Sequence, residues 1–216
     1  MSRVAAFAFD FNGTLSDDEP ILLLVYQELF AHHGRPLPAQ AYYDELAGHS
    51  EEQIIGRWLG RVDDALVAER IAGYRALVSD GSTIDEDVRA AVRFAAARLP
   101  VAIVSGAALE EIEGPVEAAG LTGLLSAVVA ADHVTHGKPH PEGYLRAAGL
   151  LGVDPAALLV FEDTEPGVEA ARAAGAYVVA LTRTLGAARL TGAHELVERI
   201  DLPLLERLLD RAGPPA

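Results

Sequence analysis

The chain of 216 residues contains no cysteine, one lysine, one methionine and one tryptophan. Without cysteine it can form no disulfide and cannot use a thiolate as a nucleophile or metal ligand. Asp and Glu outnumber Lys and Arg by 32 to 17, which gives a formal net charge of -15. This charge argues against nucleic acid or an anionic membrane surface as a main partner. An anionic substrate would therefore need a local cation or a bound metal.

Long hydrophobic runs are also absent. No apolar stretch approaches the roughly 20 residues that span a bilayer, and the N-terminus lacks a secretory signal pattern. We therefore expect a cytoplasmic protein without membrane contact; the sequence indicates no oligomeric state. Apolar residues make up 50% of the chain, enough for one core or a core with a modest insertion.

Short apolar runs recur along the chain and predict buried parallel strands. They cover residues 4–9, 101–104, 127–130, 158–161 and 177–181. Helical patterns separate the last four, which predicts an α/β fold with a doubly wound parallel sheet. Polar side chains follow four of these runs: Asp10, Ser105, Asp132, and Glu162 with Asp163. The carboxyl ends of parallel strands share one edge of a sheet, where α/β proteins bind ligands.

The interval between the first two runs is too long for a single crossover helix. Helical patterns cover residues 20–33, 50–59 and 63–79, and Ser50 opens a capping box. We therefore expect a helical domain over residues 16–84 and a discontinuous core over residues 1–15 and 85–216.

The two connections between these regions contain turn-forming residues. We expect hinges at residues 16–19 and 79–83, and helix N-caps at Asp18 and Asp85. The terminal residues 213–216, with sequence Gly-Pro-Pro-Ala, are expected to fray.

Asp10 and the turn Asn12-Gly13-Thr14 directly follow the first run. A carboxylate can attack phosphorus covalently, and a glycine turn presents backbone N–H groups to an anion. By itself, a strand-end aspartate is as often a helix or turn cap.

Three further segments carry candidate chemistry. Ser105 and Gly106 can hold a phosphoryl oxygen, or can form an ordinary turn. Lys138 is the only lysine beside 16 arginines, which suggests a role for a compact ammonium that balances phosphoryl charge. Glu162 and Asp163 offer the hard oxygen ligands that Mg²⁺ prefers, or form a solvated acidic turn.

Taken together and in this order, the four segments resemble the motifs of the haloacid dehalogenase-like (HAD) hydrolase superfamily. Asp10 matches its nucleophile, Ser105 its second motif, Lys138 its third, and Glu162 and Asp163 its metal-binding acids. The resemblance implies a Rossmann-like core with strand order 5-4-1-2-3 and a helical C1 cap domain. It also implies a Mg²⁺-dependent phosphohydrolase that acts on a small phosphorylated metabolite through an aspartyl phosphate.

The same resemblance assigns roles to particular residues. It implies that Mg²⁺ is bound by Asp10, the Asn12 carbonyl, Glu162 and Asp163. It implies that phosphoryl oxygens are held by Gly13, Thr14, Ser105, Gly106 and Lys138.

The cap segments are similar to those of the β-phosphoglucomutase and sugar-phosphate phosphatase branch. His49 and Ser50 are candidate substrate contacts there, or else a surface histidine and a helix cap. The mutase has an arginine for the distal phosphate where this chain has Glu51. That difference counts against a mutase acting on a second phosphate.

Asn12 departs from the family motif, which has an aspartate that protonates the leaving group and then activates water. Its carbonyl can still bind metal, but its amide cannot exchange a proton at neutral pH. Because general acid–base help contributes roughly 10²- to 10⁴-fold, we expect a slow or selective phosphatase. His49, His136 or His140 could assist the proton transfers.

Other members of the superfamily suggest alternatives. A non-catalytic phosphate-binding or regulatory protein on the same fold remains open. A 2-haloacid dehalogenase is less favoured, because that family has a tyrosine at the Asn12 position and lacks the acids that Glu162 and Asp163 supply. A phosphonoacetaldehyde hydrolase would need a cap lysine, and Lys138 is already assigned to the third motif.

Overall fold

The computed structural model describes residues 4–212, and a parallel six-stranded sheet forms its centre. The strand order is β3-β2-β1-β4-β5-β6, with every neighbouring pair parallel. The strands are β1 (Ala6–Phe9), β2 (Val101–Val104), β3 (Ala127–Val129), β4 (Leu158–Glu162), β5 (Tyr177–Leu181) and β6 (Glu195–Val197). This sheet confirms the Rossmann-like α/β class and the 5-4-1-2-3 order, and β6 extends it beyond β5.

Helices fill the intervals, and the capping signals mark their starts well. They are α1 (Glu19–His32), α2 (Ala39–Ala41), α3 (Glu51–Leu59), α4 (Asp64–Val78), α5 (Glu86–Ala96), α6 (Leu109–Ala118), α7 (Glu142–Leu151), α8 (Glu165–Ala173) and α9 (Leu202–Ala212). A π-helical turn, Tyr42–Leu46, follows α2. In the capping box of α3, Gln53 N–H donates to Ser50 Oγ at 3.4 Å, and Ser50 N–H donates to Gln53 Oε1 at 3.2 Å. Within the described residues, no helix has the length and apolar character needed to cross a membrane.

The two faces of the sheet are buried against separate helical layers. Along β1, Phe7 and Phe9 belong to one apolar cluster and Ala6 and Ala8 to the other, as the two-residue period of a strand requires. Residues of α5, α6 and α9 cover the first face, and residues of α7 and α8 cover the second. With both faces buried, ligands can reach the sheet at its carboxyl edge.

A third apolar cluster is built mainly from helices within the interval 16–84. The two connections of this helical region lie side by side: Asp17 N–H donates to Thr83 O at 2.8 Å, and Ser16 Oγ donates to Thr83 Oγ1 at 2.7 Å. The division into two domains remains a prediction. The expected fraying of residues 213–216 concerns a segment outside the described residues.

Candidate active site

The catalytic candidates meet because β1 lies between β2 and β4 in the sheet. Asp10 follows β1 directly, and its N–H still donates to Phe161 O of β4 at 2.9 Å. Ser105 follows β2, and Glu162 ends β4. The strand ends thus bring together side chains that are far apart in the chain.

Lys138 reaches this edge from the loop before α7. Its Nζ lies 2.5 Å from Asp10 Oδ1 and 2.5 Å from Glu162 Oε1. Burial lowers the pKa of the Lys138 ammonium, but the Asp10 and Glu162 carboxylates outweigh this and raise it above its usual value. Lys138 is therefore a fixed positive charge beside the candidate nucleophile.

Three buried carboxylates face one another here. Candidate ligand oxygens of Asp10, Glu162 and Asp163 all lie within 4.8 Å of one another. Burial raises the pKa of Asp10 to about 7, with Lys138 opposing the shift and Glu162 adding to it. Burial, followed by the charge of Asp10, raises the pKa of Asp163 as well. One ammonium cannot balance three carboxylates, so the cluster fits a divalent cation with hard oxygen ligands.

The two acids of β4 differ in how they are held. Glu162 Oε1 accepts from Tyr144 OH and Lys138, and its Oε2 accepts from Asp163 N–H at 3.2 Å. Asp163 accepts from the hydroxyls of Thr14, at 3.1 Å, and Thr184. Both oxygens of Glu162 thus accept hydrogen bonds from protein groups, and the carboxylate forms an ion pair with Lys138.

Glycine is required where these carboxylates approach the backbone. Gly13 has φ +71°, and a Cβ there would lie 1.9 Å from Asp163 Oδ2. A Cβ at Gly167 would lie 2.0 Å from Glu162 Oε2. Any other residue at Gly13 or Gly167 would therefore displace the neighbouring carboxylate, that of Asp163 or Glu162 respectively.

Asn12 is held by the segment that follows it and by the helical region. Its Nδ2 donates to Asp18 Oδ2 at 2.9 Å and to Tyr74 OH at 3.0 Å. Asp18 Oδ1 accepts from Gly13 N–H at 3.1 Å. Asp18 is the N-cap residue of α1, as predicted, but its side chain makes no capping hydrogen bond. Its carboxylate instead points toward the turn Asn12-Gly13-Thr14 (the motif loop), and burial there raises its pKa.

A small cavity of about 50 Å³ adjoins Asp10 and Asn12. Two buried charged residues that the sequence patterns did not single out, Glu19 and Arg70, line it. Tyr42 OH donates to Glu19 Oε1 at 2.9 Å. Burial, and then the neighbouring Asp18 carboxylate, raise the pKa of Glu19 to about 8.

Arg70 lies between two glutamates. Its Nη1 is 3.3 Å from Glu51 Oε1 and also contacts Glu111 of α6. A sequence signal for it exists: Leu66, Arg70, Tyr74 and Val78 are spaced four apart, so the arginine interrupts the buried stripe of α4. A charge on that stripe needs a buried partner.

A larger cleft of about 790 Å³ opens beside the same site and shares Glu51, Ser105, Gly106 and Lys138 with the small cavity. Ser50 lines it, in addition to capping α3. Asp132 also lines it, but its carboxylate accepts from Leu109 N–H at 2.7 Å and thus serves the start of α6.

The candidate histidines separate into two groups. His49 lines the small cavity with Asp10, and burial lowers its pKa, which favours the neutral ring. His136 and His140 line the larger cleft, with ring centroids 4.7 Å apart. His136 Nδ1 lies 3.0 Å from Glu142 Oε2. Of the three histidines, His49 is therefore the one that lines the small cavity beside the candidate nucleophile, Asp10.

Comparison with known proteins gives a consistent picture. The family model for haloacid dehalogenase-like hydrolases matches residues 4–175. Validoxylamine A 7'-phosphate phosphatase of Streptomyces hygroscopicus subsp. limoneus is 32% identical over 203 residues, covering 92% of this chain and 94% of the relative. Fructose-1-phosphate phosphatase YqaB of Escherichia coli K12 is 34% identical over 178 residues, covering 80% of this chain and 94% of the relative.

Solved structures agree on the fold. A β-phosphoglucomutase of Clostridium difficile superposes with a TM-score of 0.83 at 18% identity, covering 96% of this chain and 98% of that chain. CbbY of Rhodobacter sphaeroides, in complex with phosphate, gives 0.81 at 22% identity, covering 91% and 95%.

Proposed function

Because this chain belongs to the haloacid dehalogenase-like hydrolases, we propose that it is a Mg²⁺-dependent phosphatase that forms an aspartyl phosphate on Asp10. Several of its relatives are phosphatases, and the chain is a phosphoric monoester hydrolase. The observation that best supports the finer proposal is the contact of Lys138 with both Asp10 and Glu162, since it places a fixed cation beside a buried carboxylate nucleophile.

The phosphoryl group would sit at the carboxyl edge of β1 and β2. Ser105, Gly106 and Lys138 line the cavities at that edge, and Gly13 and Thr14 follow Asp10 at the end of β1. Hydroxyl, backbone N–H and ammonium donors suit the oxygens of a dianion whose charge shifts during transfer. In the first step an Asp10 oxygen bonds to phosphorus, and the bond from phosphorus to the leaving alcohol breaks.

The metal would be held by Asp10, Asp163 and the Asn12 carbonyl. Glu162 would not bind it directly. A bound Mg²⁺ supplies charge neutralisation and orientation for phosphoryl transfer. Both oxygens of Glu162 already accept hydrogen bonds from protein donors, so its role is to hold Lys138 and the Asp163 backbone in place.

Glu19 is the proton carrier in this proposal. It lines the cavity with Asp10, and its raised pKa keeps it protonated at neutral pH. The leaving alkoxide takes the Glu19 proton. A water then attacks phosphorus, its proton passes to the Glu19 carboxylate, and the bond between Asp10 and phosphorus breaks. Asn12 does not exchange a proton in either step.

The helical region 16–84 would act as the cap that covers the site. Its Gly48, His49 and Glu51 line the small cavity, and residues 16–19 and 79–83 connect it to the sheet. Opening at these connections would admit substrate, and closing would exclude water from the phosphoenzyme.

The substrate is proposed to be a monophosphate of a sugar or a related hydroxylated ring. The relatives named above act on validoxylamine A 7'-phosphate and fructose 1-phosphate. A second phosphate is disfavoured because Arg70, a cation of the small cavity, already contacts Glu51 and Glu111.

Phosphate release tests this proposal. Fructose 1-phosphate, other sugar monophosphates and a sugar bisphosphate would be assayed with Mg²⁺ and with chelator, with Asp10→Asn as the control. We expect Mg²⁺-dependent release from monophosphates, at least about tenfold faster than from the bisphosphate, and none above background from Asp10→Asn. Undiminished release with Asp10→Asn, or no release from any ester, would contradict the proposal.

A further inference from the structure

The orientation of the Asn12 amide follows from the groups around it. Tyr74 OH has one proton and donates it to Asp18 Oδ2. Both Tyr74 Oη and Asp18 Oδ2 therefore present lone pairs to residue 12. Only the amide nitrogen can face them, because the amide oxygen would meet two acceptors with no proton between them.

The amide oxygen consequently points away from this pair. Among the described residues no donor reaches Asn12 Oδ1, whereas Asn12 Nδ2 lies 2.9 Å from Asp18 and 3.0 Å from Tyr74. Asn12 lines the small cavity together with Asp10. The side of Asn12 that is free for a ligand is thus an acceptor.

The two anchors are well placed to hold this orientation. Asp18 is buried, and Gly13 N–H fixes its other oxygen at 3.1 Å. Tyr74 is fully buried in α4. Since Tyr74 belongs to the helical region and Asp18 to its connection, the network joins both to the motif loop.

We propose that Asp18 and Tyr74 are positioning residues that fix the Asn12 amide, so that Asn12 Oδ1 orients the water which hydrolyses the Asp10 phosphoenzyme. This inference rests on the proposed function. Asn12 accepts one O–H of that water, while Glu19 receives the proton as described above. The amide at position 12 complements the carboxylate at position 18, because Asn12 Nδ2 donates to Asp18 Oδ2.

A consequence is that an aspartate cannot simply be restored at position 12. In the Asn12→Asp variant the new carboxylate would face the Asp18 and Tyr74 oxygens and lose its orientation. Exchanging the two groups, by combining Asn12→Asp with Asp18→Asn, would restore one donor facing one acceptor.

The test is a double-mutant cycle of Asn12→Asp and Asp18→Asn. Formation and hydrolysis of the Asp10 adduct are measured separately by rapid quench. We expect Asp18→Asn to slow hydrolysis at least about fivefold with formation within twofold of wild type. Asn12→Asp alone should also slow hydrolysis at least about fivefold, because the new carboxylate loses its orientation. The double variant should return hydrolysis to within about twofold of wild type, since Glu19 still carries the proton.

Two further variants separate positioning from general damage. Tyr74→Phe should slow hydrolysis of the adduct in the same way as Asp18→Asn. Asp87→Asn, at an exposed aspartate of α5, serves as the control and should leave both steps at the wild-type rate. Equal rates of hydrolysis for Asn12→Asp and for the double variant, or wild-type hydrolysis in Asp18→Asn, would overturn the inference. Absence of any adduct in wild type would instead refute the proposed function.

Discussion

Lys138 is the residue on which the charge balance of the site depends. It touches Asp10 and Glu162 at 2.5 Å each, so removing it leaves buried carboxylates facing an incoming phosphoryl dianion. We expect Lys138→Met to lower kcat/KM by about 10²-fold or more, comparable to the loss of one charge-stabilising donor.

Lys138→Arg is the informative partner variant. A planar guanidinium cannot replace a compact ammonium between two carboxylates, so it should recover less than a tenth of the wild-type kcat/KM. Full activity of the arginine variant in steady-state assays would contradict this account of the lysine.

Glu19 makes a separate prediction about pH. Its pKa is raised from 4.5 to about 8 in the folded chain, first by burial and then by Asp18. The folded state therefore binds a proton that the unfolded state has lost, and this contribution to stability disappears as pH rises from about 4.5 to 8. Glu19→Gln should weaken the fall in the free energy of unfolding over that range, measured by denaturant titration with chelator present.

Burial also raises the pKa values of other carboxyl groups, notably Asp10, Asp163 and Glu111. Their titration lowers stability with rising pH in the same way. The comparison is therefore between the slopes of wild type and Glu19→Gln, with Glu28→Gln as a surface control on the same helix. Identical slopes for wild type and Glu19→Gln would show that Glu19 is ionised throughout.

At the residue scale, strand-end patterns predicted that Asp10, Ser105, Glu162 and Asp163 lie at one edge of the sheet, and the resemblance to the family motifs added Lys138. Those residues follow buried strands or lie in a distinctive local sequence. Asp18 was assigned to a helix cap because local sequence cannot show that Tyr74, 56 positions away, attracts its carboxylate. Glu19 and Arg70 were missed for the same reason, since their partners are distant in the chain.

At the scale of elements, α4 and α6 are joined by buried charge. Arg70 of α4 contacts Glu111 of α6 and Glu51 at the start of α3. Removing one member of a buried ionic group leaves uncompensated charge and typically costs about 3–5 kcal/mol. We expect Arg70→Met to lower the free energy of unfolding by that amount, as measured by urea denaturation at neutral pH.

A compensated variant checks the cause. Combining Arg70→Met with Glu51→Gln and Glu111→Gln removes the unpaired charges and should recover at least half of the lost stability. An exposed pair between the same helices, Arg75 and Glu110, provides the control, because such pairs contribute only about 0–1 kcal/mol. A loss of similar size from Arg75→Met would contradict the role of burial.

The helices and strands themselves were largely predictable: Ser50 and Asp85 cap helices as predicted. The helix expected from residue 63 begins one residue later, with Asp63 as its N-cap. Strand β6 was not predicted: its three residues, Glu195–Val197, are partly exposed and form no apolar run. The π-helical turn Tyr42–Leu46 also left no periodic signal. Both depend on tertiary packing rather than local pattern.

At the scale of the whole molecule, one glycine lies where the helical region packs closely against the end of strand β4. Gly48 has φ +85°, and a Cβ there would lie 2.6 Å from Thr164 Cβ. Gly48→Ala would therefore hold this loop away from the strand end. We expect kcat/KM to fall about tenfold or more. Gly48 and Gly60 both have a positive φ, so alanine at either position lowers stability. Gly60→Ala, whose Cβ would meet nothing within 4 Å, should nevertheless leave kcat/KM unchanged.

The order of the sheet and its chemistry could be anticipated together, because a parallel sheet brings strand ends to one edge. The seating of the helical region could not, since it depends on contacts such as Gly48 against Thr164 and Arg70 against Glu111. These contacts join residues that are distant in the chain and carry no local signature. Sequence patterns therefore located the nucleophile but not the groups that would position water and carry protons.

The most direct test is to trap the phosphoenzyme. Wild type and Asp10→Asn would be mixed with a cleaved sugar monophosphate and Mg²⁺, quenched in acid within milliseconds, and analysed by peptide mass spectrometry. Because Asn12-Gly13 can deamidate, the same spectra report whether residue 12 is still an amide. The account predicts a phosphate adduct on Asp10 that hydroxylamine removes and that is absent from Asp10→Asn. Turnover without an adduct at any quench time, or an adduct on another residue, would contradict it.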